Sequence, residues 1–236
     1  RRPQTRQAFR SEGSYRRAIA SLTCWSSWRV LQRGARLATA SPDDCLFGRV
    51  EQARPRAKGY SMRRLEVRRH SARQKPSPHL SQEGVDLARR VGATLGPFAR
   101  VLTSPLPRAA ETAAAMGFAI DEELARLGTD HLPAVGPEVD FSGGFLAWAT
   151  AARAGSETAA HVTSQAALWH RLAADLDDGD SALLIGHEGI MEGGAVGSFP
   201  NANHTAWGPM CGFCEGVRLS HDGSRFTGIE ILRVDP

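Results

Sequence analysis

The 236-residue chain carries 29 Lys+Arg against 25 Asp+Glu, a formal charge of +4, and its 42% hydrophobic content suffices for a packed core in one large domain or two small ones. The charge is uneven: residues 1–61 hold 13 Lys+Arg and 4 Asp+Glu, leaving 16 and 21 for the rest, so the basic balance belongs to the leader and excludes reading the remainder as a nucleic-acid binder. No apolar run reaches the roughly 18 residues of a membrane span, and Cys24, Cys45, Cys211 and Cys214 make no disulfide framework in a chain this long, which points to free thiols in a reducing, cytoplasmic setting.

Residues 1–61 are rich in arginine, serine and glutamine, lack periodic apolar faces and cannot bury enough surface to offset their ordering entropy. They read as a poorly ordered basic leader with a helical piece over about residues 15–31. An organelle transit peptide or a basic nucleic-acid tail has similar composition, whereas Ala18 to Trp25 is too short and polar for a signal-peptide core. Met62 directly precedes the first strand, so the expectation is that it is the natural start and that the leader is upstream sequence. Intact mass of the protein from its native host tests this.

Residues 62–236 form the second unit. Met62 to Arg69 alternates as a strand and delivers Arg69 and His70 side by side at its end, a pairing suited to handling phosphate. Ser81 caps a helix through Val85, Leu87, Ala88, Val91 and Leu95, which Gly96-Pro97 stops. Arg100 to Thr103 is a buried strand ending at Ser104, and Pro107 opens a helix with Arg108 in its first turn, where N–H groups and the helix dipole favour an anion. Phe118 to Ile120 reads as a short strand. Asp121 to Gly155 breaks into Gly- and Pro-punctuated pieces carrying Phe141, Phe145 and Trp148. Ser156 or Thr158 starts a helix through Val162, Ala166, Trp169, Leu172 and Leu176, after which Ser181 to Gly186 is a continuously apolar strand of the kind buried on both faces. His187 and Glu188 leave its end, a helix follows from about Ile190 to Val196, and the tail folds as a hairpin around His221-Asp222-Gly223-Ser224. Strands alternating with helices predict an α/β three-layer sandwich with a mostly parallel central sheet.

Arg69-His70-Ser71, then Ser104, Arg108, Ala109 and Thr112 at the spacing Ser-x-x-x-Arg-Ala-x-x-Thr, then Gly186-His187 resemble, in that order, the motifs of the histidine phosphatase superfamily with its phosphoglycerate mutase-like fold. The resemblance covers about residues 62–234. It implies that His70 is the nucleophile, that Arg69 and Arg108 grip the phosphate, and that His187 binds a third oxygen, with no cofactor and no metal. It also implies a substrate lid within Asp121 to Gly155. The acid that protonates the leaving group is either Glu188, beside the second histidine, or Glu122 or Glu123, where many members carry a glutamate in a setting this chain lacks. Ser71 stands where the family has glycine, and either weakens binding, if backbone approach to phosphate needs a bare Cα there, or donates one more hydrogen bond to phosphate. Arg73 either adds charge at the rim or is a solvated loop arginine; Ser104 belongs to the second motif, and the loop carrying His204 and Trp207 either closes over the site, with one of them touching substrate, or is an ordinary loop with a packed Trp. The implied partner is a small phosphorylated substrate or a phosphohistidine protein, with no nucleic acid and no membrane. A mutase and a non-catalytic phosphate-binding module are the alternatives.

Three other features have plainer readings. Cys211-Gly212-Phe213-Cys214 runs into a strand rather than opening a helix, so it is a pair of buried thiols and not a redox motif. Arg68 alternates away from Arg69, toward the sheet surface or a structural ion pair. His79, His131, His161, His170 and His221 have no ligand spacing and read as structural or surface residues.

Overall fold

The computed structural model of the protein describes residues 62–234, so the readings made for residues 1–61, Cys24 and Cys45 included, lie outside the described residues. Alternating strands and helices follow in the predicted order: β1 (Arg63–Arg69), α1 (Gln82–Gly92), β2 (Arg100–Thr103), α2 (Pro107–Ala115), β3 (Glu122–Glu123), α3 (Leu132–Val135), α4 (Gly144–Ala154), α5 (Glu157–Ala174), β4 (Ser181–Gly186), α6 (Ile190–Ser198), β5 (Gly216–His221) and β6 (Phe226–Leu232). One sheet in the order β3-β2-β4-β1-β5-β6 runs through the centre. The first four strands of that order are parallel, and the β5–β6 hairpin adds two antiparallel strands beside β1.

Side-chain alternation builds a layer on each face of the sheet. Val101 of β2 with Leu183 and Ile185 of β4 packs on Ala88, Val91, Ala109 and Ala113 of α1 and α2. Leu65 and Val67 of β1 with Leu102 and Leu184 face the other way, into Phe145, Trp148, Trp169 and Ile190 of α4, α5 and α6. β4 therefore is buried on both sides, as its unbroken apolar run predicts. Arg68 donates to Glu66 within β1 and to the Cys214 carbonyl, and Arg218 of β5 joins the same carboxylate, making a buried structural ion pair.

Local chemistry sets the helix starts. Ser81 accepts from Gly84 N at 3.2 Å to cap α1. At α5, Glu138 accepts from the hydroxyls of Ser156 and Thr158 and from Thr158 N at 2.9 Å, and these bonds hold its carboxyl down at about 2.

Two expectations need correction. The strand expected at Phe118 to Ile120 forms instead at Glu122–Glu123, because Phe118 turns its ring edge-on to Phe98 and pairing with β2 begins only where Asp121 N reaches Val101 O. Asp121 to Gly155 is also more regular than its punctuation suggests: α4 crosses the core with Phe145 and Trp148 fully buried, so those aromatics support the fold and do not face a substrate. Gly144, in the left-handed region, admits the chain there, since a Cβ would run into the Gly208–Pro209 backbone.

Candidate active site

Three neighbouring parallel strands end together and set the site. The ladder of β2, β4 and β1 continues one residue beyond the strands, with His70 N donating to Gly186 O (2.9 Å) and Ser104 N to Ile185 O (3.0 Å). His70, Ser104 and His187 thus leave adjacent strands at the same height. The rings of His70 and His187 lie 4.9 Å apart, close to the spacing of neighbouring strands.

The protonation of His70 follows from its bonds. Nδ1 lies 2.6 Å from the Ser71 carbonyl, so it carries the proton, and Nε2 accepts from Arg108 Nε at 3.1 Å, so it carries the lone pair. Burial is the main reason that its pKa falls to about 4, with Arg108, Arg69 and Arg73 pushing the same way against the Ser71 bond. His187 is lowered to about 2, again mainly by burial and then by His70, Arg108, His131 and Arg69. Both imidazoles are neutral at physiological pH.

Ser104 Oγ accepts from Leu106 N (3.3 Å) and lies 2.6 Å from His187 Nε2, a bond in which either partner can supply the proton. When the Ser104 hydroxyl donates, the His187 proton is on Nδ1, a buried nitrogen with no protein partner. Arg69 Nε is a second such nitrogen. A buried polar nitrogen without a partner costs roughly 1–3 kcal/mol, and an anion held between the two guanidiniums would relieve that cost.

Arg69 Nη1 donates to the Cys211 carbonyl (2.9 Å) and stands 3.3 Å from Glu188 Oε1. The Glu188 carboxylate, partly exposed, therefore sits at this group and not along the next helix. Glu122 and Glu123 are both exposed on edge strand β3, and Glu122 pairs with Arg100 at 3.0 Å. Arg108, second residue of α2 after Pro107, lies among like charges: desolvation, then Arg73 and Arg69, lower its pKa. The α2 motif is held by Thr112, which donates to Arg108 O (2.6 Å) and accepts from Ser71 N (2.9 Å). Ala109 beneath it is fully buried.

The structure brings Arg69, His70, Arg108, His187, Ser104 and Glu188 together, with Arg73 near enough to be felt by His70 and Arg108. It uses Ser71 differently from the expected donor to phosphate, since the hydroxyl is fully buried and donates to Gly84 O of α1 at 2.6 Å. His204 is buried too, with Nε2 on the Phe199 carbonyl (3.0 Å) and its ring edge against Trp207, so its contacts serve the loop.

Four residues not anticipated from the sequence support or border the site. Glu192, fully buried, accepts from Gly189 N (2.9 Å) and Cys211 N (2.8 Å), tying the turn after His187 to the loop that receives Arg69. Desolvation raises its pKa against those bonds and the Arg69 charge. His131 and His161 stack at 4.2 Å and donate to the carbonyls of Glu188 and Gly189, both at 3.3 Å. Phe213 is the fourth, its ring 5.8 Å from that of His70 and 5.0 Å from the Arg69 guanidinium carbon. Only pairings across space reveal the first three; the spacing of histidines in the sequence does not.

A mixed α/β sheet whose parallel strand ends gather two neutral histidines and two arginines makes a candidate anion site. Residues 64–128 match the family model described as histidine phosphatase superfamily (branch 1). No curated protein sequence matches the chain. Among solved structures, a glucosyl-3-phosphoglycerate phosphatase from mycobacteria matches at 17% identity and TM-score 0.51, over 73% of this chain and 100% of its own. A phosphoserine phosphatase from Entamoeba histolytica matches at 14% and 0.51 (73% and 98%), and a phosphoglycerate mutase from Bacillus anthracis at 14% and 0.51 (73% and 93%). The chain carries the motifs of the histidine phosphatase superfamily on a phosphoglycerate mutase-like fold, whose structural neighbours include both phosphatases and a mutase.

Among the described residues no helix is long and apolar enough to cross a membrane, and no group of three or more His, Cys, Asp and Glu residues is placed to hold a metal ion.

Proposed function

We propose that the protein is a phosphatase that hydrolyses a phosphomonoester or a phosphohistidine through a covalent phosphohistidine on His70. The observation that carries this reading is the fixed tautomer of His70: its proton is committed to the Ser71 carbonyl, and its lone pair points where Arg108 stands. Nε2 attacks phosphorus as the P–O bond of a phosphomonoester, or the P–N bond of a phosphohistidine, breaks. Arg69 and Arg108 hold non-bridging oxygens with planar donor forks, and His187 Nδ1–H donates to a third. In its protonated form Glu188 donates to the departing oxygen or, for a phosphohistidine, nitrogen; then, as the carboxylate seen beside Arg69, it takes a proton from the water that attacks the phosphohistidine on His70, which releases phosphate and restores neutral His70.

The positive charge this step requires comes from the two guanidiniums, so the reaction needs no metal and no cofactor. The substrate is a small phosphorylated molecule or a phosphohistidine on a protein, and the chemistry suits a cytoplasmic setting. Rapid mixing with a chromogenic aryl phosphate in the presence of a chelator tests the proposal. A burst of phenol, abolished in His70→Ala, is expected. An undiminished rate in His70→Ala sinks it, and a stable phosphoenzyme that passes its phosphoryl group only to a second hydroxyl marks a mutase instead.

A further inference from the structure

The loop Cys211 to Glu215 is clamped to the residue before the nucleophile. Arg69 N donates to Glu215 O (2.8 Å), Cys214 N donates to Arg69 O (3.1 Å), and Arg69 Nη1 reaches Cys211 O. Cys211 and Cys214 are both fully buried and anchor the loop from inside. Between them, Phe213 is 39% exposed, one of two large hydrophobic side chains exposed among the described residues.

That exposure is enforced by the backbone. Cys214 has φ of 59°, the one non-glycine residue with positive φ among those described, and a left-handed cysteine is a strained choice that folding alone would avoid. It turns the chain so that Phe213 stands outside the core, beside His70 and the Arg69 guanidinium. Here an exposed apolar ring borders the same guanidinium that Glu188 faces, the side on which the proposed proton donor meets the leaving group.

We propose that Phe213 is a substrate-contacting, specificity-determining residue that provides a flat apolar wall for the leaving group, and that the preferred substrates carry the phosphoryl group directly on a planar ring. This rests on the phosphatase reading above and goes further by naming the leaving-group chemistry. A phenol and an imidazole share it, so a small aryl phosphate and a phosphohistidine are the two sources. An offset or edge-to-face contact with Phe213 favours either ring over an alkyl group, by about three- to tenfold in affinity.

Non-hydrolysable phosphonates separate binding from turnover. Calorimetric titration of the full chain with inorganic phosphate, methylphosphonate and phenylphosphonate is compared among wild type, Phe213→Ala, Phe213→Leu and Phe213→Tyr. The phenyl-to-methyl affinity ratio is taken within each protein, so any loosening of Arg69 cancels. The expected ratio is about three to ten in wild type and Phe213→Tyr, and near one in Phe213→Ala and Phe213→Leu. Phosphate binding with an equal ratio in wild type and Phe213→Ala overturns the inference alone, whereas absence of phosphate binding to wild type overturns the phosphate site as well. In turnover, a Phe213→Ala loss in kcat/KM for phenyl phosphate alone assigns the wall to small aryl esters, and a matching loss for phosphohistidine assigns it to both sources. No loss on either ring relative to an alkyl phosphate contradicts the proposal.

Discussion

His70 and His187 face each other from adjacent strands with rings 4.9 Å apart and tilted by 55°, each with one nitrogen committed to a protein partner. The pair is asymmetric in consequence: His70 offers a lone pair at Nε2, and His187, with Ser104 donating to its Nε2, offers a proton at Nδ1. For His70 to exchange roles, its bond to the Ser71 carbonyl would have to break. His70→Ala is therefore expected to abolish turnover, while His187→Ala, which removes one donor to the transferring group, lowers kcat by about 10²- to 10³-fold. Steady-state kinetics with a single aryl phosphate checks both.

Glu188 stands 3.3 Å from Arg69 Nη1, and if it protonates the leaving oxygen as proposed, its effect depends on how much that oxygen needs a proton. In Glu188→Gln the rate on an alkyl phosphate is expected to fall by about 10²- to 10⁴-fold, and the rate on a nitrophenyl phosphate by less than about tenfold. Rates across a series of leaving groups of graded basicity measure this. Equal losses along the series would assign Glu188 to holding Arg69 only.

The histidines report pH in a defined direction. Their folded pKa values lie below the ordinary 6.5, at about 4 for His70 and His161 and about 2 for His187, all chiefly because burial disfavours the charged form. Groups with depressed folded pKa values leave stability intact above the unfolded value and erode it as pH falls from about 6.5 toward 4, because the unfolded chain takes up protons that the folded one refuses. Urea unfolding at pH 7, 5.5 and 4.5 is expected to show a falling midpoint, and bound phosphate, whose charge favours the imidazolium forms, is expected to recover part of the loss. The imidazole proton resonance of His70 titrates near 4 in the free protein and higher with phosphate.

Glu192 should matter for both stability and the site. Glu192→Ala leaves the buried amides of Gly189 and Cys211 without an acceptor, at roughly 1–3 kcal/mol each, and frees the loop that receives Arg69. Thermal unfolding at a lower temperature, together with a higher KM, is expected. Glu192→Gln keeps the shape and one acceptor oxygen, so it falls between the two.

Ser71 separates support from chemistry. Its hydroxyl joins β1 to Gly84 of α1, where glycine is required because a Cβ would meet the Ala72 backbone. Ser71→Ala is expected to cost about 1–3 kcal/mol in a denaturant titration through the orphaned carbonyl, with the affinity for phosphate changed far less.

The strand ends were legible because each motif follows a strand, and parallel pairing of β2, β4 and β1 forces residues 70, 104 and 187 to one edge. α4 was not legible as a core helix: Gly144 to Ala154 is apolar almost all round, so no polar stripe marks its outer face. Glycines and prolines nearby suggested a loop instead. Phe213 was hidden by the cysteines beside it, whose spacing drew attention to redox chemistry, and the left-handed turn at Cys214 has no sequence signal. Glu192 and the His131–His161 stack are products of chain crossings that no local pattern encodes. Ser71 was read as facing phosphate because the motif gives its position but not its rotamer.

The central claim is a bond between phosphorus and one imidazole. Protein quenched in base during turnover of a phosphomonoester and digested for mass spectrometry measures it directly. The expected result is one acid-labile phosphoryl group on the peptide containing His70, absent from His70→Ala. Turnover with no adduct at residue 70, or an adduct on another side chain that persists in His70→Ala, contradicts the account.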